Sequence, residues 1–235
     1  MIQWKIKERA LMDSKQLSQI LEILKMWRKD VQKPVVEAMK ENESDPFLIL
    51  IATILSLRTR DQVTREAFSK LHKRVKNVHD LLKIDEGELE EIIHPVGFYR
   101  NKVKTLKEIA GILTQKFGGK VPANLEDLLS IKGVGRKTAN LVLIEGFNKE
   151  GICVDTHVHR ILNWWGYVKT KTPDETEMAL RKKLPKKWWK EINAILVTFG
   201  QNLCKPVAPR CNLCPINKLC TYPKKQILRR DKKTT

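Results

Sequence analysis

The 235-residue sequence contains no uninterrupted apolar run near the roughly 18 residues that a membrane-crossing helix needs. Its start, MIQWKIKERALMDSKQL, also lacks the apolar centre of a secretory leader. Neither a membrane nor an export destination is expected, so the chain is placed in the cytoplasm, or in the nucleus of a cell that has one. Acid is in short supply: 27 Asp and Glu stand against 45 Lys and Arg, for a net charge of +18 and a sequence pI near 9.8. Solubility does not require that much charge. The tail KKQILRRDKKTT holds +5 of it, leaving +13 in the rest of the chain. An excess spread through the folded body points to an anionic partner, nucleic acid foremost. No internal repeat is found, which excludes a solenoid array.

The period-2 alternation of strands is also scarce, whereas helical signals recur. Asp45 followed by Pro46 reads as an N-cap and first helical position, with Phe47, Leu48, Leu50, Ile51, Ile54 and Leu55 at helical spacing behind them. Asp85 with Glu88 predicts a capping box ahead of LEEII. Val103, Leu106, Ile109, Ala110 and Leu113 mark one face of a helix over 99–117, Asn124 caps LEDLLSI, and KTANLVLIEGF opens another helix. Breakers fall at Gly118-Gly119, at Gly133 and Gly135, and around Pro206 to Pro215, without opening a long linker. An all-α chain of two compact lobes is expected.

The stretch IKGVGRKTANLVLIEGF places two glycines between two helical segments. A Walker loop needs glycine directly before its lysine, and Arg136 stands there; a dinucleotide fingerprint needs a strand before the first glycine. What remains is a helix-hairpin-helix. Its glycines allow positive φ and close backbone approach to a phosphate, and the second helix adds the positive end of its dipole. That is a sequence-independent grip on a DNA backbone; an ordinary helix-helix turn is the plainer alternative.

Four of the five cysteines, Cys204, Cys211, Cys214 and Cys220, are spaced C-x6-C-x2-C-x5-C. Such a short segment cannot fold alone, so four thiolates there point to a closed metal site. Zinc and a [4Fe-4S] cluster both accept four thiolates, and spacing does not choose between them. Cys153, within the apolar GICVD, reads as a buried small side chain.

These residues together carry a family resemblance. GVGRKTAN, then VDTHVHR with Asp155 eighteen residues after Lys137, then the cysteine spacing, resemble the endonuclease III family of DNA glycosylases. LSLRTRDQVT and HPVGFYRNKVK resemble further segments of that family, in order. The resemblance covers about residues 20–220 and implies a helix-hairpin-helix DNA glycosylase fold. A six-helix barrel domain is expected over 39–149. A cluster domain is expected from 1–38 and 150–235, with the cluster loop at 204–220. The resemblance favours [4Fe-4S] over zinc.

A lysine attacks only when neutral, so a catalytic lysine needs desolvation or nearby positive charge. Lys137, in the first turn of a helix beside Arg136, meets part of that need. By the resemblance, Lys137 attacks C1′ of the damaged nucleotide, the base departs, a Schiff base forms, and β-elimination cuts the strand. Asp155 would stabilise positive charge on the opening sugar and assist proton transfer; its plainer reading is a helix N-cap. Flipping a base out of a duplex requires side chains that fill the gap. Arg58 stands where many relatives carry glutamine, and Phe98 matches a wedge often occupied by leucine. A salt bridge from Arg58 to Asp61, or a phosphate contact, is the bland alternative. Lys132 stands where relatives often carry proline. Gly133, Gly135, Arg136, Thr138, Lys205 and Arg210 complete the expected DNA contacts. His157 and His159 are read as structural or phosphate contacts, and Trp164-Trp165 and Trp188-Trp189 as packing.

The expectation is a bifunctional DNA glycosylase and AP lyase acting, as a monomer, on duplex DNA with oxidised pyrimidines or abasic sites. A DNA-binding module that does not cut, and a monofunctional glycosylase altered through Arg58, are the other readings of the same residues.

Overall fold

The structure, a computed structural model, describes residues 12–31, 34, 36, 37 and 45–222; the basic tail from 224 lies outside them. The chain divides into two units, one of residues 34–153 and one of 1–33 with 154–235. Eleven α-helices and no strand occur among the described residues, as the all-α expectation requires. In chain order these are α1 (Ser14–Trp27), α2 (Pro46–Ser56), α3 (Asp61–Arg74), α4 (Val78–Lys83), α5 (Glu86–Ile93) and α6 (Tyr99–Phe117). There follow α7 (Leu125–Ser130), α8 (Arg136–Phe147), α9 (Thr156–Trp164), α10 (Pro173–Lys183) and α11 (Ile192–Asn202).

Unit 34–153 is built around α2. Asp45 accepts a hydrogen bond from the Phe47 amide at 2.8 Å, and Pro46 supplies the first turn, so the helix starts where the sequence predicts. Phe47 through Leu55 are all buried, which makes α2 a fully enclosed core helix. Its main neighbour is α8, where Gly146 admits the Pro46 ring; a Cβ at Gly146 would lie 3.0 Å from Pro46 Cα. Truncating one of these buried aliphatics to alanine removes about 2–5 kcal/mol. Helix α6 buries Val103, Leu106, Ile109, Ala110 and Leu113, the face read from the sequence, and ends at Gly118 with φ of +58°.

The predicted capping box at Asp85 is only half formed. Asp85 accepts from the Gly87 and Glu88 amides, but the Glu88 carboxylate turns away to an ion pair with Arg74 at 2.6 Å. A guanidinium is the stronger partner for a carboxylate than a neutral amide, so it takes the side chain. A complete box forms instead at α1, where Asp13 and Gln16 exchange hydrogen bonds.

In the unit formed by both ends of the chain, α1 packs against α11. Trp188 donates its indole N–H to Ser18 Oγ at 3.1 Å, and Ser14 Oγ lies 3.0 Å from the Tyr167 hydroxyl. Trp165, Trp188, Tyr167 and Phe199 fill the centre of this unit. Trp164 stacks on Tyr222, with ring centroids 4.5 Å apart.

Candidate functional site

The hairpin lies between α7 and α8. Asn124 caps α7 through the Asp127 amide at 2.9 Å, and the chain turns through a Val134 amide bond to the Ile131 carbonyl at 3.0 Å. The two glycines differ. Gly133 has φ of +91°, and a Cβ there would stand 2.6 Å from Thr105 Cγ2, so both backbone and space require glycine. Gly135 has φ of −87°, an ordinary value, and a Cβ there would meet no atom within 4 Å. The positive φ expected of both holds for Gly133 alone.

Gly135 is the N-cap of α8 and supplies no capping side chain, so the first amides of that helix keep an uncovered approach. The glycine thus leaves room for an anion at the positive end of the dipole. Arg136 and Lys137 are half-buried in this first turn, whereas Thr138 is 2% exposed. With its side chain buried, Thr138 has the main chain as its route to a phosphate. Lys132 pairs with Glu108 at 2.8 Å on the surface, an exposed contact of little energetic weight.

The turn that carries Lys137 is held from beneath. Asn140, fully buried, donates to the Arg136 carbonyl at 3.0 Å and accepts from the Ile152 amide at 3.2 Å. The Cys153 thiol, also buried, donates to the Lys137 carbonyl at 3.7 Å. Cys153 is therefore a structural small side chain.

A second constellation in the same unit brings Arg58 and Phe98 together. Both side chains are exposed, Phe98 to 60%, with the Arg58 guanidinium 5.5 Å from the Phe98 ring centre. Arg58 makes no ion pair with Asp61 among the described residues. Both residues adopt left-handed backbone, φ +53° and +57°, at a cost of roughly 1–2 kcal/mol each for a residue with a Cβ. Gly97 beside them is forced by space: a Cβ would lie 2.6 Å from the Arg58 carbonyl oxygen.

Sequence reasoning passed over Lys102. Its side chain is buried, and Nζ donates to the carbonyls of Leu55 at 2.7 Å and Leu57 at 2.5 Å and to Thr59 Oγ1 at 3.0 Å. Burial and then the charge of Lys137 pull its pKa down to about 8. A signal existed, because Lys102 sits four residues before Leu106 on the apolar stripe of α6.

In the other unit Asp155 is the N-cap of α9. One oxygen, Oδ1, accepts both the His157 and the Val158 amides at 2.9 Å. The cap and a second role are compatible, since Oδ2 makes no hydrogen bond among the described residues. His159 bonds Thr176 at 2.7 Å, a structural contact, and a Cβ on Gly200 would lie 2.5 Å from His157 Nδ1. Arg160 donates to the Cys204 carbonyl at 2.7 Å. Burial lowers the Arg160 pKa, opposed by the charges of Cys204 and Asp155.

Cys204, Cys211, Cys214 and Cys220 are reduced and half-buried in one irregular loop that includes Lys205 and Arg210. Burial pushes the Cys204 thiol up to about 12; Arg160 opposes the rise, and Cys220, Cys214 and Cys211 add to it. The sulfurs of Cys220, Cys214 and Cys211 therefore lie within electrostatic reach of Cys204. Among the described residues, no three His, Cys, Asp or Glu side chains are drawn together closely enough to hold a single metal ion. The donor chemistry, four soft thiols on one loop, fits a thiolate-bound centre.

Residues 51–186 match the HhH-GPD superfamily base excision DNA repair protein family. Endonuclease III of Thermotoga maritima is 46% identical over 195 residues, which cover 82% of this chain and 92% of that protein. Endonuclease III-like protein 1 of Gallus gallus is 45% identical over 182 residues, 76% of this chain and 65% of its own length. A solved structure of a trapped endonuclease III–DNA covalent intermediate superposes with a TM-score of 0.82 at 30% identity, covering 92% of this chain and all of that one. A thermostable thymine-DNA glycosylase superposes at 0.76 with 28% identity, over 90% and 97% of the two chains. With the hairpin, its lysine and the matched span in agreement, the chain belongs to the endonuclease III family of base excision repair DNA glycosylases and AP lyases.

Proposed function

We propose that this enzyme removes oxidised pyrimidines from duplex DNA, with Lys137 as nucleophile and Asp155 as its carboxylate partner. The reading is carried by one observation: a lysine in the first turn of α8, directly behind a hairpin whose Gly135 leaves the helix N-terminus open to a phosphate. The hairpin amides of residues 135–138, with Arg136, hold the backbone beside the damaged nucleotide. Lys137 Nζ attacks C1′ as the N-glycosidic bond breaks and the base leaves; the nitrogen then gives up a proton, O4′ takes one, and the C1′–O4′ bond breaks to open the sugar as an imine. Loss of a proton from C2′ of the resulting imine expels the 3′ phosphate and cuts the strand. Asp155 steadies positive charge on the sugar and shuttles protons, through the oxygen its cap role leaves over.

Unit 34–153 serves as the barrel domain and the other as the cluster domain. Cys204, Cys211, Cys214 and Cys220 would hold a [4Fe-4S] cluster, which supplies a structural staple for the loop that offers Lys205 and Arg210 to phosphates. The partner is duplex DNA with damaged pyrimidines or abasic sites, met by a monomer wherever the cell keeps its DNA.

Borohydride trapping on a duplex carrying one thymine glycol, with an abasic duplex in parallel, tests this. A covalent adduct mapped to Lys137, and lost with strand cutting in Lys137→Ala, is the expected result. Normal cutting by Lys137→Ala overturns the assignment. An adduct on the abasic duplex alone retains the lyase and rejects thymine glycol as the base substrate.

A further inference from the structure

Helix α2 ends in a half-buried turn, where the carbonyls of Leu55 and Leu57 need donors from outside the helix. Lys102 supplies them from α6. Its three N–H groups meet three acceptors, the Leu55 and Leu57 carbonyls and Thr59 Oγ1, which is all an ammonium can donate. Thr59 Oγ1 also accepts from the Gly97 amide at 3.2 Å and donates to the Leu57 carbonyl at 3.2 Å. The Lys102 amide donates to the Phe98 carbonyl at 3.1 Å. One lysine is thus bonded to the turn that carries Arg58 and, through its own main chain and through Thr59, to the turn that carries Phe98.

An apolar side chain would fill the same space, leave the buried Leu55 carbonyl unmet and take one donor each from the half-buried Leu57 carbonyl and Thr59 Oγ1. Burying an ammonium is itself costly, so its presence under two strained, exposed residues calls for a reason. Neither Arg58 nor Phe98 can be left to relax, because each sits in a backbone conformation its own Cβ disfavours. We propose that Lys102 is the positioning residue of the duplex wedge, fixing Arg58 and Phe98 as one plug for the gap that a flipped nucleotide leaves. The inference rests on the glycosylase reading above and assigns Lys102 no contact with DNA. Misplacing a positioned group by about 1 Å can cost about 100-fold in rate, so loss of this anchor should be felt at the chemical step.

The test is a mutant cycle on the full chain, read as single-turnover base release from a duplex carrying one thymine glycol. Lys102→Met should slow release about 30-fold in an otherwise native protein, an effect of the size positional errors produce. In an Arg58→Ala/Phe98→Ala background, where no wedge remains to be positioned, the same change should cost no more than about threefold. Lys102→Arg, which keeps charge and donors, should recover part of the loss. Equal losses in both backgrounds, or no loss in either, overturn the proposal, since a general folding defect carries over unchanged. Should Lys102→Met fail to fold, Thr59→Val cuts the same hub and enters the same cycle with the same expectation. Failure of the underlying reading is visible separately, as absence of the Lys137 adduct in the unaltered protein.

Discussion

Two turns of unit 34–153 solve the same geometric problem in opposite ways. At the hairpin the chain takes φ of +91° with a glycine, Gly133, and the neighbouring Gly135 keeps space open at the start of α8. At the wedge the chain takes φ near +55° twice with large side chains, Arg58 and Phe98. The difference follows from what each turn presents. Where main-chain amides are to meet a phosphate, a side chain would be in the way, and glycine relieves strain and obstruction together. Where the proposed wedge would project side chains into a duplex, strain is tolerated and a buried lysine lies bonded to both turns.

The largest effect that would sharpen this contrast is the pH response of the brace. Lys102 loses its proton near pH 8, whereas an unfolded lysine keeps its own to about 10.5. Between those values the unfolded chain binds more protons than the folded one, so raising the pH through that window removes the cost of the buried charge. The native protein should gain at most about 3 kcal/mol relative to Lys102→Met as pH rises from 8 to 10.5. Urea denaturation of both proteins across that range measures it, and a constant difference would break the idea that the brace is a buried ion.

Next in size is Gly133→Ala, expected to lose about 2 kcal/mol or more, from left-handed backbone strain and from the clash with Thr105. Adding Thr105→Ser, which removes the clashing methyl, should return the steric part and leave the backbone part. Full recovery would mean that φ at Gly133 carries no cost. Phe98→Gly is expected to act in the other direction: relief of strain should raise stability by up to about 1 kcal/mol while base release from duplex DNA falls. A variant both more stable and fully active would remove Phe98 from the wedge. Smallest is Gly135→Ala, which should leave stability within about 0.5 kcal/mol yet weaken duplex binding, because its Cβ meets only open space inside the protein.

How much of this was legible depended on whether a residue's job was local. The limits of α6 could be read because Val103, Leu106, Ile109, Ala110 and Leu113 repeat at the helical period and Gly118 stops them. Asp45, Asn124 and Asp155 announce their caps within three residues, so these too were visible. Glu88 was misread because its true partner, Arg74, lies in another helix. Lys102 and Thr59 were passed over for the same reason: their partners lie up to 47 residues away, and lysine is ordinarily a surface residue. Strain at Arg58 and Phe98 had no signature, since residues other than glycine seldom advertise a left-handed turn. For the cysteines, spacing suggested four soft thiol ligands but could not select the metal.

The bonds from Ser14 and Ser18 to Tyr167 and Trp188 span 153 and 170 residues, and this orders events on the ribosome. Helix α1 is synthesised before unit 34–153, yet its Leu17, Ile20, Leu21 and Leu24 meet helix α11 only after the whole of that unit has emerged. At ordinary elongation speeds that delay is on the order of ten seconds, ample time for residues 34–153 to fold alone. The newborn chain must therefore carry an apolar helix in waiting. The exposed Lys15, Gln16, Gln19, Glu22 and Lys25 on its polar side are what keep it in solution until its partners arrive.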